Sequence, residues 1–105
     1  MDRQFKQLWV DDTRPCPDGW DYAPTAHEAL VKLELIPYEE VSLDHDLGCF
    51  YGNTELTGYN IALWLVQRKH DGKYIPPTIR CHSANIVGKK NIEDVLDRYL
   101  PDHKG

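Results

Sequence analysis

The apolar positions of this chain fall into short runs, and three of the runs stop at a cluster of ionisable or small polar side chains. Gln7–Val10 precedes Asp11 and Asp12, Val41–Leu43 precedes the segment 44–46, and Thr78–Cys81 precedes the segment 82–85. Short apolar runs bounded by polar segments are typical of buried strands. Because ligands of open α/β folds bind outside the carboxyl ends of the strands, the pattern predicts a polar site at one edge of a sheet.

The clearest helix signal begins at Thr25. Thr25 and Glu28 have the spacing of a capping box, in which two side chains satisfy the first free backbone N–H groups of a helix. Pro37 ends this predicted helix. Apolar residues inside it follow the i, i+3, i+4, i+7 spacing of an amphipathic helix: Ala26, Ala29, Leu30 and Leu33.

Two further helices are predicted downstream. One begins after Thr57 as its cap, runs through Lys69 and stops at Gly72. The other has Asn91 as its candidate cap and ends at Pro101. Its apolar residues repeat with helical spacing: Ile92, Val95, Leu96, Tyr99 and Leu100.

Strands and helices therefore alternate along the chain, with Trp20–Ala23 as an additional short strand. The segments Thr13–Gly19 and Gly48–Leu56 are polar and contain glycine, and they are predicted as loops. This alternation favours an α/β fold with a mostly parallel sheet. A length of 105 residues predicts one domain, 1–105.

Composition narrows the class of protein. The net charge is −5, and an acidic chain is a poor candidate for an extended nucleic-acid-binding surface, which requires a basic footprint. Three cysteines without CxxC spacing argue against a disulfide framework. No apolar run approaches the roughly 18 residues that span a bilayer, and Met1–Gln7 is polar and lacks a leader-like apolar stretch. We expect a cytoplasmic protein that does not bind membranes.

The order of the motifs resembles the receiver domain of bacterial response regulators. In that family an acid pair after the first strand holds a divalent metal, and an aspartate after the third strand accepts a phosphoryl group. Asp11 and Asp12 match the acid pair, and Asp44 matches the phosphoacceptor. The resemblance implies a small three-layer, flavodoxin-like fold with about four strands in the order 2-1-3-4.

Four motifs are more similar to a divergent branch, the cyclic-phosphate processing receiver-like domains: L-W-V-D-D-T-R-P at 8–15, S-L-D-H-D-L-G at 42–48, T-G-Y-N at 57–60 and H-S-A-N at 82–85. This resemblance implies action on cyclic phosphate ends or cyclic nucleotides. Three features depart from an ordinary receiver. The loop Thr13–Gly19 replaces a helix, no lysine-bearing fifth strand is evident, and His45 and His82 are added.

The candidate metal ligands are Asp11, Asp12, Asp44 and Asp46. Their hard carboxylate oxygens suit Mg²⁺ or Mn²⁺ better than zinc, and a divalent ion would relieve the repulsion among gathered negative charges. Alternatively, Asp12 or Asp46 caps a turn or a helix and binds no ion. Since neighbouring side chains of a strand point to opposite faces, Asp44 shares a site more readily with Asp46 than with His45, unless the strand has already ended.

The candidate catalytic residues are His45 and His82. Opening a cyclic phosphate requires a base that activates water and an acid for the leaving oxygen, and histidine fills either role near neutral pH. Two alternatives to this catalytic pair stay open. One of the two histidines is then a structural residue with satisfied nitrogens, or it is a nitrogen ligand of the metal.

The candidate phosphate-binding residues are Arg14, Ser83 and Asn85. Arg14 can clamp a phosphate with two parallel hydrogen bonds, or it neutralises one of the acids before it. Ser83 and Asn85 can donate hydrogen bonds to phosphate oxygens, and helix capping is the equal alternative for both.

Three functions compete at this point. The first is a metal-dependent phosphoesterase that takes a small nucleotide or an RNA end with a cyclic phosphate. The second is a non-catalytic receiver-like module that binds or sequesters a nucleotide or a protein partner, and the third is a phosphoacceptor that uses Asp44. The missing lysine strand argues against the third function. The two histidines favour the enzyme, because a binding module needs neither an acid nor a base.

Overall fold

The computed structural model describes residues 6–104, so the predictions for the polar N-terminus and for the outer limits of the domain extend into residues that lie outside the described range. Within this range the chain forms, in order, β1 (Gln7–Val10), β2 (Asp21–Ala23), α1 (Ala26–Leu35), β3 (Glu40–Leu43), β4 (Cys49–Tyr51), β5 (Thr54–Leu56), α2 (Gly58–His70), β6 (Thr78–Cys81) and α3 (Ile86–Tyr99). A short 3₁₀ turn, Pro101–His103, follows α3.

Four of the strands form a parallel sheet in the order β2-β1-β3-β6. This confirms the predicted α/β class and the flavodoxin-like order 2-1-3-4, with β6 as the fourth strand of the sheet. The last residues of β1, β3 and β6 are paired in register. The side chains that follow these three strands therefore leave the sheet at the same edge: Asp11, Asp44 and His82.

Both helix starts predicted at a threonine are confirmed. The Thr25 hydroxyl oxygen accepts a hydrogen bond from the Glu28 N–H at 3.1 Å. Thr57 caps α2, and its own N–H donates to Asn60 Oδ1 at 2.8 Å, which completes a capping box. After α2 the chain turns at Gly72, whose φ of 75° lies in the left-handed region that glycine adopts without steric cost.

The predicted start of α3 is wrong. Asn85, and not Asn91, is its N-cap, because Asn85 Oδ1 accepts the Gly88 N–H at 2.9 Å. The first helical residues, Ile86 and Val87, are apolar but exposed. Apolar periodicity marks only the buried face of a helix, so the predicted pattern begins at Ile92, six residues after the first helical residue, Ile86.

The segment Gly48–Leu56, predicted as a loop, contains a two-stranded antiparallel hairpin. β4 pairs with β5, and Gly52 occupies the turn between them with a φ of 62°. Most of the hairpin's side chains are exposed, so the segment lacks the apolar alternation that identifies a half-buried strand. For this reason the sequence of the hairpin did not indicate strands.

Helices cover one face of the sheet. α1 packs against α2, and α2 packs against α3, above fully buried strand residues: Leu8, Val10, Val41, Leu43 and Ile79. Because side chains alternate along a strand, the intervening residues point to the opposite, more polar face: Gln7, Trp9, Glu40, Ser42 and Arg80. The connection between β1 and β2 covers that face at Trp9, whose ring meets Trp20 edge-on with centroids 5.8 Å apart. Among the described residues, the third layer is thus a loop rather than a helix.

The two longest helices each bury one side. The buried residues of α2 and α3 join the sheet in a single core: Ile61, Ala62, Leu65, Ile92, Val95 and Leu96. Leu63 on the outer side of α2 is exposed. Across residues 6–104, no helix has the length and apolar character that crossing a membrane requires.

Candidate functional site

The site lies where β1, β3 and β6 end. The backbone ladder continues one residue past each strand, because the Asp44 N–H donates to the Val10 carbonyl at 2.9 Å and the His82 N–H donates to the Leu43 carbonyl at 3.0 Å. These bonds fix the backbone from which the functional side chains project. β3 has already ended at Leu43, so strict alternation of faces does not apply to the residues after it.

Three carboxylates gather at this edge. Asp11, Asp12 and Asp44 each present an oxygen, and these oxygens lie within 4.8 Å of one another. Asp11 and Asp44 are buried, whereas Asp12 is exposed. Asp46, the fourth predicted ligand, lies outside this group.

The chemistry of this carboxylate group fits a hard divalent cation. Within residues 6–104, no side chain forms a hydrogen bond or an ion pair with the carboxylate of Asp12 or Asp44. Asp44 is only 7% exposed, and carboxylates gathered this closely repel one another when they are ionised. Oxygen-only ligands without sulfur or nitrogen favour Mg²⁺ or Mn²⁺ over zinc.

Asp11 is the most tightly held of the three. Its Oδ1 accepts the backbone N–H groups of Thr13 and Arg14 at 2.8 and 2.9 Å, and its Oδ2 accepts from His82 Nε2 at 3.0 Å. Burial by itself would raise the pKa of Asp11, but these hydrogen bonds and the nearby imidazole outweigh burial and lower the pKa. Asp11 is therefore a charged carboxylate at neutral pH.

His82 is held at both ring nitrogens. Nε2 contacts Asp11, and Nδ1 lies 2.6 Å from the hydroxyl oxygen of Ser42. The ring also stacks on Trp9, with centroids 3.8 Å apart and planes 3° from parallel. Burial lowers the pKa of His82, and the hydrogen bond to Asp11 opposes that effect only in part, so the neutral ring is favoured.

His45 belongs to a second chain of hydrogen bonds. Its Nδ1 lies 2.7 Å from Asp46 Oδ1, and Asn85 Nδ2 donates to the same carboxylate at 3.2 Å. The hydrogen bonds from His45 and then from Asn85 lower the pKa of Asp46, although burial opposes them. Since an ionised carboxylate only accepts hydrogen bonds, Nδ1 carries a proton, and in the neutral ring the lone pair lies on Nε2.

A polar cavity of about 390 Å³ opens over the carboxylates. Six of the nine predicted site residues line it: Asp12, Arg14, Asp44, Asp46, Ser83 and Asn85. The other three predicted residues do not line the cavity, but they contact residues next to it: Asp11, His45 and His82. The structure thus gathers the predicted residues into one region but divides them between the cavity wall and a supporting layer.

The predicted phosphate-binding residues have distinct surroundings. The Arg14 guanidinium donates to the His82 carbonyl through Nη1 and lies 3.8 Å from Asp11 Oδ2. The Ser83 hydroxyl oxygen accepts the Asn85 N–H at 3.0 Å, which leaves its own proton available. Asn85 caps α3 and donates to Asp46, so its amide already has two partners.

Sequence reasoning missed three residues of this region. Ser42 was a detectable candidate, because it is a polar residue between two apolar ones in a strand. Gly88 contacts the His45 ring, and a glycine inside a helix is the available signal. Glu55 lines the cavity from the hairpin, and no local pattern indicates that position.

Comparison with known proteins assigns the chain to a family. No curated protein and no solved structure matches the chain. The sequence model of the cyclic-phosphate processing receiver domain, however, matches residues 6–98, which include the whole parallel sheet and every residue of the site. The chain therefore belongs to the cyclic-phosphate processing receiver domain family.

Proposed function

We propose that this domain hydrolyses a cyclic phosphate with the help of Mg²⁺ or Mn²⁺ held by Asp11, Asp12 and Asp44. One observation carries the proposal: Asp12 and Asp44, two of the three gathered carboxylates, line the same cavity as Asp46, the carboxylate that His45 contacts. A cation bound to the carboxylates would supply positive charge against the phosphate oxygens. The other roles in the reaction belong to side chains of the site, and each role follows from the contacts of its side chain.

His45 is the proposed general base. Asp46 accepts the Nδ1 proton at 2.7 Å and so leaves the lone pair on Nε2. Asn85 holds Asp46 in place from the cap of α3. An oriented imidazole with a basic nitrogen suits removal of a proton from water near neutral pH. In this proposal Asp46 is a positioning residue for His45 and not a metal ligand.

The reaction balances with one water molecule. The water oxygen bonds to phosphorus and its proton passes to Nε2 of His45, while the bond from phosphorus to one ring oxygen of the cyclic ester breaks. That leaving oxygen takes a proton from solvent, and the product is a phosphomonoester. His82 was predicted to share this acid–base work with His45. Because both of its nitrogens are engaged, we place the base at His45 alone.

Arg14 and Ser83 are the proposed phosphate-binding residues. Both line the cavity, and the Arg14 side chain is 41% exposed despite its bond to the His82 carbonyl. A guanidinium keeps further N–H groups for a phosphate after one such bond. Asn85, the third residue predicted to bind phosphate, is instead proposed to hold Asp46 in place.

The proposed substrate is a small nucleotide or an RNA end that carries a 2′,3′-cyclic phosphate. A cavity of about 390 Å³ accommodates a phosphate ester with part of its nucleoside. The net charge of −5 disfavours a long polynucleotide, whose backbone requires many cationic contacts.

Product analysis tests the proposal. The protein is incubated with 2′,3′-cyclic mononucleotides, RNA with a cyclic phosphate end and cyclic dinucleotides, each with Mg²⁺, Mn²⁺ or a chelator. We expect metal-dependent phosphomonoester from at least one substrate. His45→Ala should lower turnover by about 10²–10⁴-fold, and His70→Ala, at an exposed position on α2, is the matched control.

One outcome would reject the enzyme, and another would reject the base assigned to it. If the protein binds a cyclic nucleotide tightly but returns it intact under every condition, the sequestering module is the better function. If His45→Ala and His70→Ala cleave equally fast, catalysis does not use His45 as its base.

A further inference from the structure

Ser42 has a buried polar side chain that the proposed chemistry leaves without a role. It lies in the middle of β3, is 4% exposed and points to the face of the sheet opposite the helices. In the register of the sheet it stands beside Trp9 of β1. Its hydroxyl oxygen lies 2.6 Å from His82 Nδ1, the shorter of the two side-chain contacts made by that imidazole.

The hydrogen-bond directions in this chain of contacts follow from the charge of Asp11. An ionised carboxylate accepts and cannot donate, so His82 Nε2 carries a proton and donates it to Asp11. An imidazole that carries a single ring proton on Nε2 presents Nδ1 as an acceptor, and Nδ1 faces the Ser42 hydroxyl at 2.6 Å. The Ser42 hydroxyl therefore donates to Nδ1, and this bond selects the tautomer that Asp11 requires.

Asp11 is held from both sides as a result. Its Oδ1 accepts the N–H groups of Thr13 and Arg14, and its Oδ2 accepts the His82 N–H. Each carboxylate oxygen offers two lone pairs, so Oδ2 keeps one for a further partner. Stacking on Trp9 at 3.8 Å prevents the imidazole from tilting away. The orientation of this remaining lone pair is fixed before any ligand arrives.

We propose that Ser42 and His82 are positioning residues that hold Asp11 in the orientation required for binding a divalent cation together with Asp12 and Asp44. The inference rests on the metal site of the proposed function and assigns His82 to support of a ligand instead of proton transfer. Hydrogen-bond partners of metal ligands typically contribute 10- to 100-fold to metal affinity.

Binding of Mn²⁺ to the apoprotein, measured by calorimetry and by the loss of the free-ion paramagnetic resonance signal, provides the first test. His82→Gln places an amide N–H near the position of Nε2 and keeps the donor to Asp11, whereas His82→Asn reaches only as far as Nδ1. We expect wild-type-like affinity for His82→Gln, roughly 100-fold weaker binding for His82→Asn and roughly tenfold weaker binding for Ser42→Ala. Circular dichroism establishes that each variant is folded.

The ¹⁵N shifts of the His82 ring in the wild-type apoprotein provide a second test that needs neither metal nor substitution. We expect a protonated Nε2 and an unprotonated Nδ1. The opposite tautomer would overturn the proposed direction of the contacts even if the variants failed to fold.

The outcomes separate this inference from the proposed function. Equal Mn²⁺ affinity in folded Ser42→Ala, His82→Asn and wild type overturns the positioning role and leaves the metal site intact. Absence of Mn²⁺ binding to the wild type rejects both. Loss of affinity in His82→Gln equal to that in His82→Asn would show that the donor to Asp11 is not what matters.

Discussion

The imidazole of His45 lies directly against Gly88 of α3. A Cβ added at position 88 would be 2.3 Å from Cγ of the His45 ring and 2.6 Å from its Nδ1. Contacts that short do not occur between carbon atoms, which rest at about 3.5–4.0 Å. The glycine therefore provides the space in which the proposed catalytic base is seated.

Gly88→Ala should destabilise the domain even though alanine is the better helix former by about 1 kcal/mol. The added methyl group overpacks the contact, at a cost of about 1–3 kcal/mol, and displaces the ring from Asp46. In a His45→Ala background the same substitution should be stabilising, because the clash is gone. Urea unfolding of the four proteins of this double-mutant cycle measures the effect, and an identical change in both backgrounds would contradict the prediction.

Gly58→Ala should be far more damaging than Gly88→Ala. Its Cβ would lie 2.1 Å from the Asp44 carbonyl oxygen and 2.9 Å from the carbonyl carbon. A backbone group cannot rotate away as a side chain can, and the Gly58 N–H also donates to the His45 carbonyl at 3.0 Å. We expect a loss of at least about 3 kcal/mol of stability, or failure to fold. The melting temperatures of the two glycine variants, compared side by side, check this order.

Asp44→Asn and Asp46→Asn form a matched pair that separates metal binding from positioning of the base. Asp44→Asn should abolish the rise in melting temperature produced by Mg²⁺ or Mn²⁺, without unfolding the apoprotein, since it removes one of three gathered negative charges. Asp46→Asn should retain that rise but lose turnover, because its amide no longer fixes the His45 proton on Nδ1. If both variants lose the metal-induced rise in melting temperature equally, Asp46 is a metal ligand as the sequence predicted.

Stability should fall on mild acidification, with a contribution from His82. The pKa of His82 is lowered, mainly by burial, so the unfolded chain takes up this proton at a higher pH than the folded one. The resulting stability is present above the ordinary pKa of about 6.5 and is lost as pH falls below it. Each proton of difference changes the unfolding free energy by about 1.4 kcal/mol per pH unit.

Asp11 also makes the free energy of unfolding fall as the pH falls, but at lower pH than His82 does. Its pKa is also lowered, so the stability that it provides is complete above the ordinary value of about 3.9 and disappears as pH falls through the folded-state pKa. Urea titrations from about pH 7.5 to about pH 3 should show both declines. His82→Gln should flatten the decline just below about pH 6.5 and keep the one at lower pH. An unchanged profile in His82→Gln would contradict the sign derived for His82.

The sequence by itself determined the order of the helices and of the four sheet strands, although not the β4–β5 hairpin, and it determined the edge of the sheet at which the candidate site lies. Short apolar runs, threonine caps and proline or glycine stops are local signals, and they identified the four sheet strands and two of the three helix starts. The positions of Asp11, Asp44 and His82 followed directly, because parallel strands in register bring their carboxyl ends together.

Only the tertiary structure decided which polar groups meet. Asp44 and Asp46 are two residues apart in sequence, yet Asp44 joins the carboxylate group while Asp46 bonds to His45 and Asn85. Likewise, the contact between Ser42 and His82 spans 40 residues. Such pairings depend on strand register and on where each side chain points after its strand ends. Those quantities are set by packing of the whole domain, and no local pattern in the sequence encodes them.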